Sequence, residues 1–136
     1  MTSPLEALAG TGKPLQAEPP DAAEFAGLLR SGRSRLHDAR LATLAVESRF
    51  DLAYNAAHAL CLAALRRQGF RPRHRYIVFQ ALPHTLGLGP AVWRVLDRAH
   101  TLRNLAEYEG HAEVDARFVD DLVVACEAVA AALPPG

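Results

Sequence analysis

The chain is poor in the residues that cross-link small proteins. It has two cysteines among 136 residues, and it lacks the paired Cys and His spacings of a zinc site. Cys61 and Cys126 both lie within apolar, helix-forming sequence, which predicts reduced thiols in the core and a reducing compartment. Because 50% of the residues are hydrophobic, a chain of this length can bury the core of one domain without such cross-links.

Long apolar runs and targeting signals are also missing. No charged segment followed by an apolar run and a cleavage signal opens the sequence. The longest uncharged segment outside the N-terminus, residues 52–65, is shorter than the roughly 20 residues that a membrane span needs. We therefore expect a cytoplasmic protein that does not enter a membrane.

A charge of one sign does not dominate either. The formal net charge is zero, which excludes a global attraction to nucleic acid or anionic lipid, so any such affinity depends on local patches. Lys13 is the only lysine, and residues 66–75 hold five arginines and no acid. This segment is either a solvated helix end and loop, or a basic surface that binds RNA or an acidic partner. In the second interpretation the binding side chains are Arg71, Arg73 and Arg75, beside the aromatic residues Phe70 and Tyr76.

What the chain does contain is mostly helix-forming sequence, divided by glycine and proline. Residues 1–20 are rich in both and are predicted to be a flexible arm without regular structure. Residues 21–133 are predicted to form a single all-α domain, an antiparallel bundle of four to six helices. The predicted helices are 21–31, 34–47, 50–69, 75–86, 90–110 and 114–133.

Local signals set several of these boundaries. Asp21 and Glu24 form a pair similar to a capping box, and Gly69 suits the position just after a helix. Gly32 is predicted to break or kink the chain between the first two helices. Residues 76–79 have the composition of a strand, but a lone strand would lack a partner, so a helix is preferred there.

The third predicted helix has no charge over residues 52–65 and should be the most buried element. Ser48 and Asp51 are its candidate N-terminal caps. Three polar side chains interrupt its apolar sequence on related turns: Tyr54, Asn55 and His58. They are either core residues with satisfied hydrogen bonds, or part of a pocket shared with Arg103.

Residues 97–110 carry several functional side chains on one face of a predicted helix. At about 100° per residue these side chains fall within roughly 140° of one another. They are His100, Arg103, Asn104, Glu107 and Tyr108. The other side of this helix is an apolar stripe that would seat it in the core.

This helix resembles the signature of the HEPN family of helical-bundle proteins, which is an Arg followed by a polar residue, and a His separated from the Arg by four to six residues. Arg103 and Asn104 match the first two parts, and Tyr108 stands where the shortest form of the motif has its His. The order of elements over residues 50–133, about two-thirds of the chain, is also similar to the family. The resemblance implies a HEPN fold and a homodimer in which two motifs face one another across a cleft.

Many HEPN proteins are metal-independent ribonucleases, and the resemblance implies such an endoribonuclease, or a toxin component, here. A ribose 2′-OH attacks the adjacent phosphate, and negative charge builds on the phosphoryl oxygens. Arg103 would present a permanent, forked cation to those oxygens, and Asn104 would hold the guanidinium or bond to the phosphate. Tyr108 would donate a hydrogen bond or a proton, since tyrosine is a poor base at neutral pH.

His100 and Glu107 each have a plainer alternative. His100 is either the substitute for the missing motif His or a surface or capping residue. Glu107 is placed for an i,i+4 ion pair with Arg103, which would lower the availability of Arg103 to phosphate if the pair is buried. Arg103 and Asn104 themselves form either a functional site or a structural network at a dimer contact or helix end.

A second hypothesis is a module that dimerises but has lost catalysis. Its implied partner is a nucleotidyltransferase-fold antitoxin, RNA or a nucleotide. Some of these antitoxins modify a tyrosine two residues after the motif His, a position that is Gly110 here, so this regulation does not carry over. A small-molecule enzyme is not favoured, because the sequence has no metal-ligand spacing, nucleophile elbow or nucleotide loop; no cofactor or metal is predicted.

Overall fold

A computed structural model describes residues 3–110 and 113–135, and within those ranges the chain is mostly helical. Seven helices and two short strands follow one another: α1 Pro4–Ala7, β1 Leu15–Ala17, α2 Ala22–Ala39, α3 Val46–Arg67, β2 Phe70–Pro72, α4 Ile77–Gln80, α5 Leu82–Thr85, α6 Pro90–Glu109 and α7 Ala116–Ala132. The predicted all-α class is confirmed at this level. No helix in the described ranges is both long and apolar enough to span a membrane.

Helix α3 is the centre of the fold. It contacts α2, α4, α5, α6, α7 and β2, and most of its side chains from Phe50 to Arg66 are buried. Its many alanines let the neighbouring helices approach closely, because a methyl side chain adds little thickness to a helix. The prediction that this helix is the most buried element is confirmed.

Helix α2 runs through Gly32, so the predicted break there is wrong. A Cβ atom at position 32 would lie 2.7 Å from Cγ of the buried Leu60 on α3, and the glycine therefore allows close packing of the two helices. The predicted helix 34–47 is correct for residues 34–39, which belong to α2, but wrong for residues 40–45, which are not helical. Arg49 explains why α2 ends at Ala39, because its Nε donates to the Ala39 carbonyl oxygen at 2.8 Å.

Helix α3 begins earlier than predicted, at Val46. Its N-cap residue is Ala45, which offers no side-chain cap, so the predicted caps Ser48 and Asp51 lie inside the helix. The predictions for two other ends are confirmed. The Asp21 side chain accepts from the Glu24 backbone N–H at 2.9 Å. Gly69 follows α3 with a left-handed φ of 91°.

The N-terminal segment differs most from its prediction. Residues 1–2 lie outside the described residues, but residues 3–20 contain α1 and β1 in place of the expected structureless arm. Strand β1 pairs antiparallel with β2, with Leu15 opposite Pro72, so the segment between the predicted helices 50–69 and 75–86 contains a strand. Leu5 and Leu15 are buried in the main core, which fastens the segment to the helices.

The last part of the chain follows the sequence signals more closely. Residues 77–79 are helical, as preferred, although the predicted helix 75–86 is divided into α4 and α5 at Ala81. Pro90 occupies the first turn of α6 and Gly110 ends it. Asp115 caps α7, whose inner side is buried in the core.

Candidate functional site

Helix α6 presents its polar side chains next to a polar stretch of α3. Leu96, Ala99 and Leu102 are buried and seat α6 in the core, as the apolar stripe predicted. The side chains that meet between the two helices are Tyr54 from α3 and His100, Arg103, Asn104 and Glu107 from α6, and we call these five residues the α6 site. Because α3 and α6 are both anchored by buried residues, the backbone under the α6 site is well supported.

His100 joins the two helices through both of its ring nitrogens. The Asn104 amide donates to Nε2 at 3.2 Å, and Nδ1 lies 3.2 Å from the Tyr54 hydroxyl oxygen. With Nε2 accepting from Asn104, the proton of a neutral ring is on Nδ1, which donates to Tyr54. The His100 ring also packs on Tyr76, with ring centroids 4.8 Å apart. His100 is thus part of a hydrogen-bonded network and not a free surface residue.

Arg103 lies over the ring of Tyr54, with its Cζ atom 5.1 Å from the ring centroid. Its Nε donates to Glu107 at 3.1 Å, as the i,i+4 spacing predicted. Its Nη1 is enclosed, makes no hydrogen bond within the described residues, and lies 3.7 Å from an Asp51 carboxylate oxygen. The guanidinium therefore uses one of its five N–H donors in hydrogen bonds among the residues that the structure describes.

Two carboxylates that the sequence analysis did not place in the site lie beside it. Asp51 faces Arg103, and Asp97 accepts a hydrogen bond from the Tyr76 hydroxyl. Asp97 is three residues before His100, so helical periodicity already placed it near that face. Asp51 was interpreted only as a helix cap, because α3 was predicted to begin near it. Since α3 begins at Val46, Asp51 lies inside the helix, on its exposed side.

Burial shifts the pKa values of side chains in and near the α6 site. Desolvation is the largest cause that lowers the pKa of His58 to about 4, with further contributions from the positive charge of Arg75 and from the nearby imidazole of His100. Desolvation also lowers the pKa of His100, and it raises the pKa of Tyr54. At neutral pH both imidazoles are therefore neutral and Tyr54 keeps its proton. His58 on α3 packs edge-on to Phe79 on α4, with ring centroids 6.3 Å apart.

The remaining predicted site residues divide into separate groups. Tyr108 is 86% exposed and is not among the contacts of the α6 site, so the structure does not bring it together with Arg103. Arg75 is exposed and close enough for its charge to affect Tyr54, His58 and His100. Arg73 donates to the Gly10 carbonyl oxygen at 3.3 Å.

Arg71 belongs to a different network, which the sequence did not reveal. It pairs with Glu18 at 2.7 Å and with Glu24 at 2.6 Å. Arg66 contacts the same two carboxylates and is buried, with its side chain only 2% exposed. We call Glu18, Glu24, Arg66 and Arg71 the Arg66 network. Because its two arginines are neutralised by carboxylates, it offers little free charge to a ligand.

Within the described ranges, no group of three or more His, Cys, Asp and Glu side chains is placed to hold a metal ion. Comparisons with protein-family models, with curated proteins and with solved structures found no match. The functional conclusion therefore depends on the geometry of the α6 site itself.

Proposed function

We propose that the chain is a HEPN-like module that binds a phosphate group of RNA or of a nucleotide at the α6 site. The observation that carries this proposal is the arrangement of Arg103, which is held over Tyr54 while most of its donors make no hydrogen bond within the described residues. Phosphate oxygens are the ligands that match a forked guanidinium.

An incoming phosphate can replace the carboxylates that lie beside Arg103. Glu107 and Asp51 are 52% and 66% exposed, so their attraction to the guanidinium is weakened by solvent. A phosphate can replace them without leaving a buried carboxylate unpaired. Asn104 is exposed and adds an amide donor one residue away.

Binding is favoured over catalysis by the state of the other side chains. The lone pair of His100 Nε2 is occupied by Asn104, and Tyr108 stands apart from the α6 site. A general base needs a free lone pair within reach of the proton that it removes. In this arrangement neither His100 nor Tyr108 is placed to accept a proton from a ribose hydroxyl.

A metal-independent endoribonuclease is the second candidate, and one observation favours it. The lowered pKa of His100 keeps its imidazole neutral at neutral pH, as a base requires. Because Asn104 is exposed, its amide can turn towards a ligand and release Nε2. In this alternative His100 removes the 2′-OH proton and Arg103 stabilises the charge on the phosphoryl oxygens.

The homodimer that the HEPN resemblance implies is also a proposal. It is supported by Leu105 and Tyr108, two large apolar side chains of α6 that are 38% and 86% exposed beside the motif. A second copy packed on this face would cover them and bring two α6 sites together. A nucleotidyltransferase-fold partner remains a prediction of the resemblance.

The binding test uses a fluorescent single-stranded RNA of about 12 nucleotides and its anisotropy with wild type, Arg103→Ala and Arg98→Ala. Arg98 is exposed on the same helix, about 140° around the axis from Arg103. We expect Arg103→Ala to weaken binding about tenfold, which corresponds to about 1.4 kcal/mol, and Arg98→Ala to change it less than about twofold. Equal loss in both variants would contradict a specific role for Arg103.

The same RNA distinguishes the two candidate functions. A binding module leaves it intact in EDTA. An endoribonuclease yields 2′,3′-cyclic phosphate ends in EDTA and loses this activity in His100→Ala and Arg103→Ala, but not in Arg98→Ala. That second result would replace the binding proposal with the catalytic one.

A further inference from the structure

A second basic surface lies where the N-terminal segment meets the residues after β2. An open groove of about 450 Å³ is lined by Gly12, Lys13, Pro14, Arg73 and His74, and we call it the basic groove. The backbone N–H of Arg73 donates to the Pro14 carbonyl oxygen at 2.9 Å, so the two walls are joined by the β1–β2 pairing and its extension. The groove exists only because residues 3–20 fold back on the helices.

The turn at residues 10–13 positions Lys13 in this groove. Gly12 has a left-handed φ of 75°, which a residue with a side chain rarely adopts. The Lys13 backbone N–H donates to the Gly10 carbonyl oxygen at 3.1 Å, and its Nζ donates to the Ala7 carbonyl oxygen at 3.1 Å. The ammonium group of this exposed side chain is thus held by the backbone of α1.

The cations in the groove and the adjacent Arg75 are not paired with carboxylates among the described residues. Lys13, Arg73 and Arg75 have no carboxylate oxygen within 4.0 Å among residues 3–110 and 113–135. Lys13 and Arg73 contact backbone carbonyls, which fix the side chains without neutralising them. The arginine-rich segment is therefore divided: Arg66 and Arg71 are neutralised inside the fold, whereas Arg73 and Arg75 remain available to an anion.

The basic groove lies close to the α6 site. Tyr76 follows Arg73 by three residues, and its ring packs on His100 with ring centroids 4.8 Å apart. Arg75, which lies between Arg73 and Tyr76 in the chain, adds its positive charge to the desolvation that lowers the pKa of His100. A ligand with several phosphates in a row can contact both places, but a single phosphate cannot.

We propose that the basic groove binds a backbone phosphate of the same single-stranded RNA strand of which another phosphate occupies the α6 site. This inference rests on the proposed function. The ligand it names is single-stranded RNA rather than a lone nucleotide, because a strand has several backbone phosphates and can occupy both positions at once. It also gives the N-terminal segment a function, which is to supply Lys13.

The test measures RNA affinity in Lys13→Ala/Arg73→Ala by anisotropy with the 12-nucleotide RNA, at several salt concentrations. We expect about tenfold weaker binding and a shallower dependence on salt, with the slope reduced by about one, because fewer phosphates are neutralised. The matched control is Arg33→Ala/Arg98→Ala, which removes two exposed arginines outside the groove. Lys13→Gln/Arg73→Gln serves if the alanine variant does not fold.

The outcomes separate this inference from the proposed function. If Arg103→Ala weakens RNA binding and the groove variant does not, the inference is overturned and the proposed function stands. If the groove variant alone weakens binding, the groove binds RNA without the α6 site, which overturns the proposed function and, with it, the inference that one strand spans both places. A nucleoside monophosphate should bind wild type and the groove variant equally; preference of the groove for inorganic phosphate or for polyglutamate over RNA would overturn the inference.

Discussion

The Arg66 network and the α6 site both contain an arginine that faces two carboxylates, but the two arginines are in opposite states. Arg66 donates to Glu24, to the Glu18 and Pro19 carbonyl oxygens and to the Phe70 carbonyl oxygen, and its side chain is 2% exposed. Arg103 donates to Glu107 alone within the described residues, and its side chain is 23% exposed. The first arginine is saturated and the second is not.

This difference shows why an arginine count does not locate a binding site. A buried guanidinium whose donors are all used cannot accept a phosphate without breaking the fold. A partly exposed guanidinium on an aromatic ring, with solvated carboxylates beside it, can exchange partners at low cost. We therefore infer that Arg66 stabilises the structure and that Arg103 serves a ligand.

The largest expected effect comes from removing Arg66. Arg66→Ala leaves three backbone carbonyl oxygens and two carboxylates with fewer donors, and we expect the free energy of unfolding to fall by about 3–5 kcal/mol. The matched control is the next residue, since Arg67→Ala removes an exposed arginine and should change stability by less than about 0.5 kcal/mol. Urea denaturation followed by circular dichroism measures both. Similar small losses would mean that the Arg66 network is not structural.

The two regions should also lose stability in different pH ranges. The folded pKa of His58 is about 4, below its ordinary value of 6.5, so the unfolded chain takes up this proton first as the pH falls. The free energy of unfolding should therefore decline from pH 6.5 towards 4 by about 2–3 kcal/mol through His58, which lies near the α6 site. Hydrogen bonds from Arg71 and then Arg66 lower the pKa of Glu24, so its contribution is present above pH 4.5 and is lost only below that value.

Denaturation at a series of pH values separates these contributions. His58→Gln should flatten the decline between pH 6.5 and 4 and leave the loss below pH 4.5. His84→Gln is the control, because that side chain is exposed on α5. A decline that is identical in wild type and His58→Gln would show that His58 is not the group responsible.

Substitution of Gly32 tests the packing of α2 against α3, the helix that carries residues of both the Arg66 network and the α6 site. In Gly32→Ala the new methyl group meets Leu60 at 2.7 Å, and overpacking of this kind costs about 1–3 kcal/mol, partly offset by the better helix propensity of alanine. We expect a net loss of about 1–2 kcal/mol with unchanged RNA affinity of the folded protein. Gly27→Ala in the same helix meets only Arg30 Nη2 at 3.8 Å and should stabilise by about 0.5–1 kcal/mol. Equal effects would contradict the close packing at Gly32.

The smallest expected stability change is that of Arg103→Ala. It removes a cation–π contact worth about 0.5–1 kcal/mol and an ion pair worth a few tenths of a kcal/mol. We therefore expect a loss of about 1 kcal/mol, measured by denaturation, together with the tenfold loss in RNA affinity. A stability loss as large as that of Arg66→Ala would place Arg103 among the structural arginines.

The sequence predicted what depends on neighbouring residues. The cap at Asp21, the glycine after α3 and both ends of α6 follow from signals within one or two turns, and the structure has each of them. Helical periodicity also brought His100, Arg103 and Asn104 onto one face. In the structure His100 and Arg103 contact Tyr54, and Asn104 contacts His100.

The errors arose where distant residues decide the outcome. The end of α2 depends on a hydrogen bond from Arg49, ten residues away, and β1 pairs with a strand more than 50 residues later. No local pattern predicts such contacts. For the same reason the sequence did not show that Glu18 and Glu24 neutralise Arg71, nor that Lys13 lies beside Arg73.

The most direct test of the account is NMR of the arginine side chains during titration with the 12-nucleotide RNA, with the Nε–H signals assigned by mutation. If Arg103 contacts the RNA and Arg66 is structural, the Arg103 signal shifts in proportion to bound RNA, whereas the Arg66 signal stays in place. A shift of Arg66 without a shift of Arg103, or saturable binding that moves neither, would contradict it.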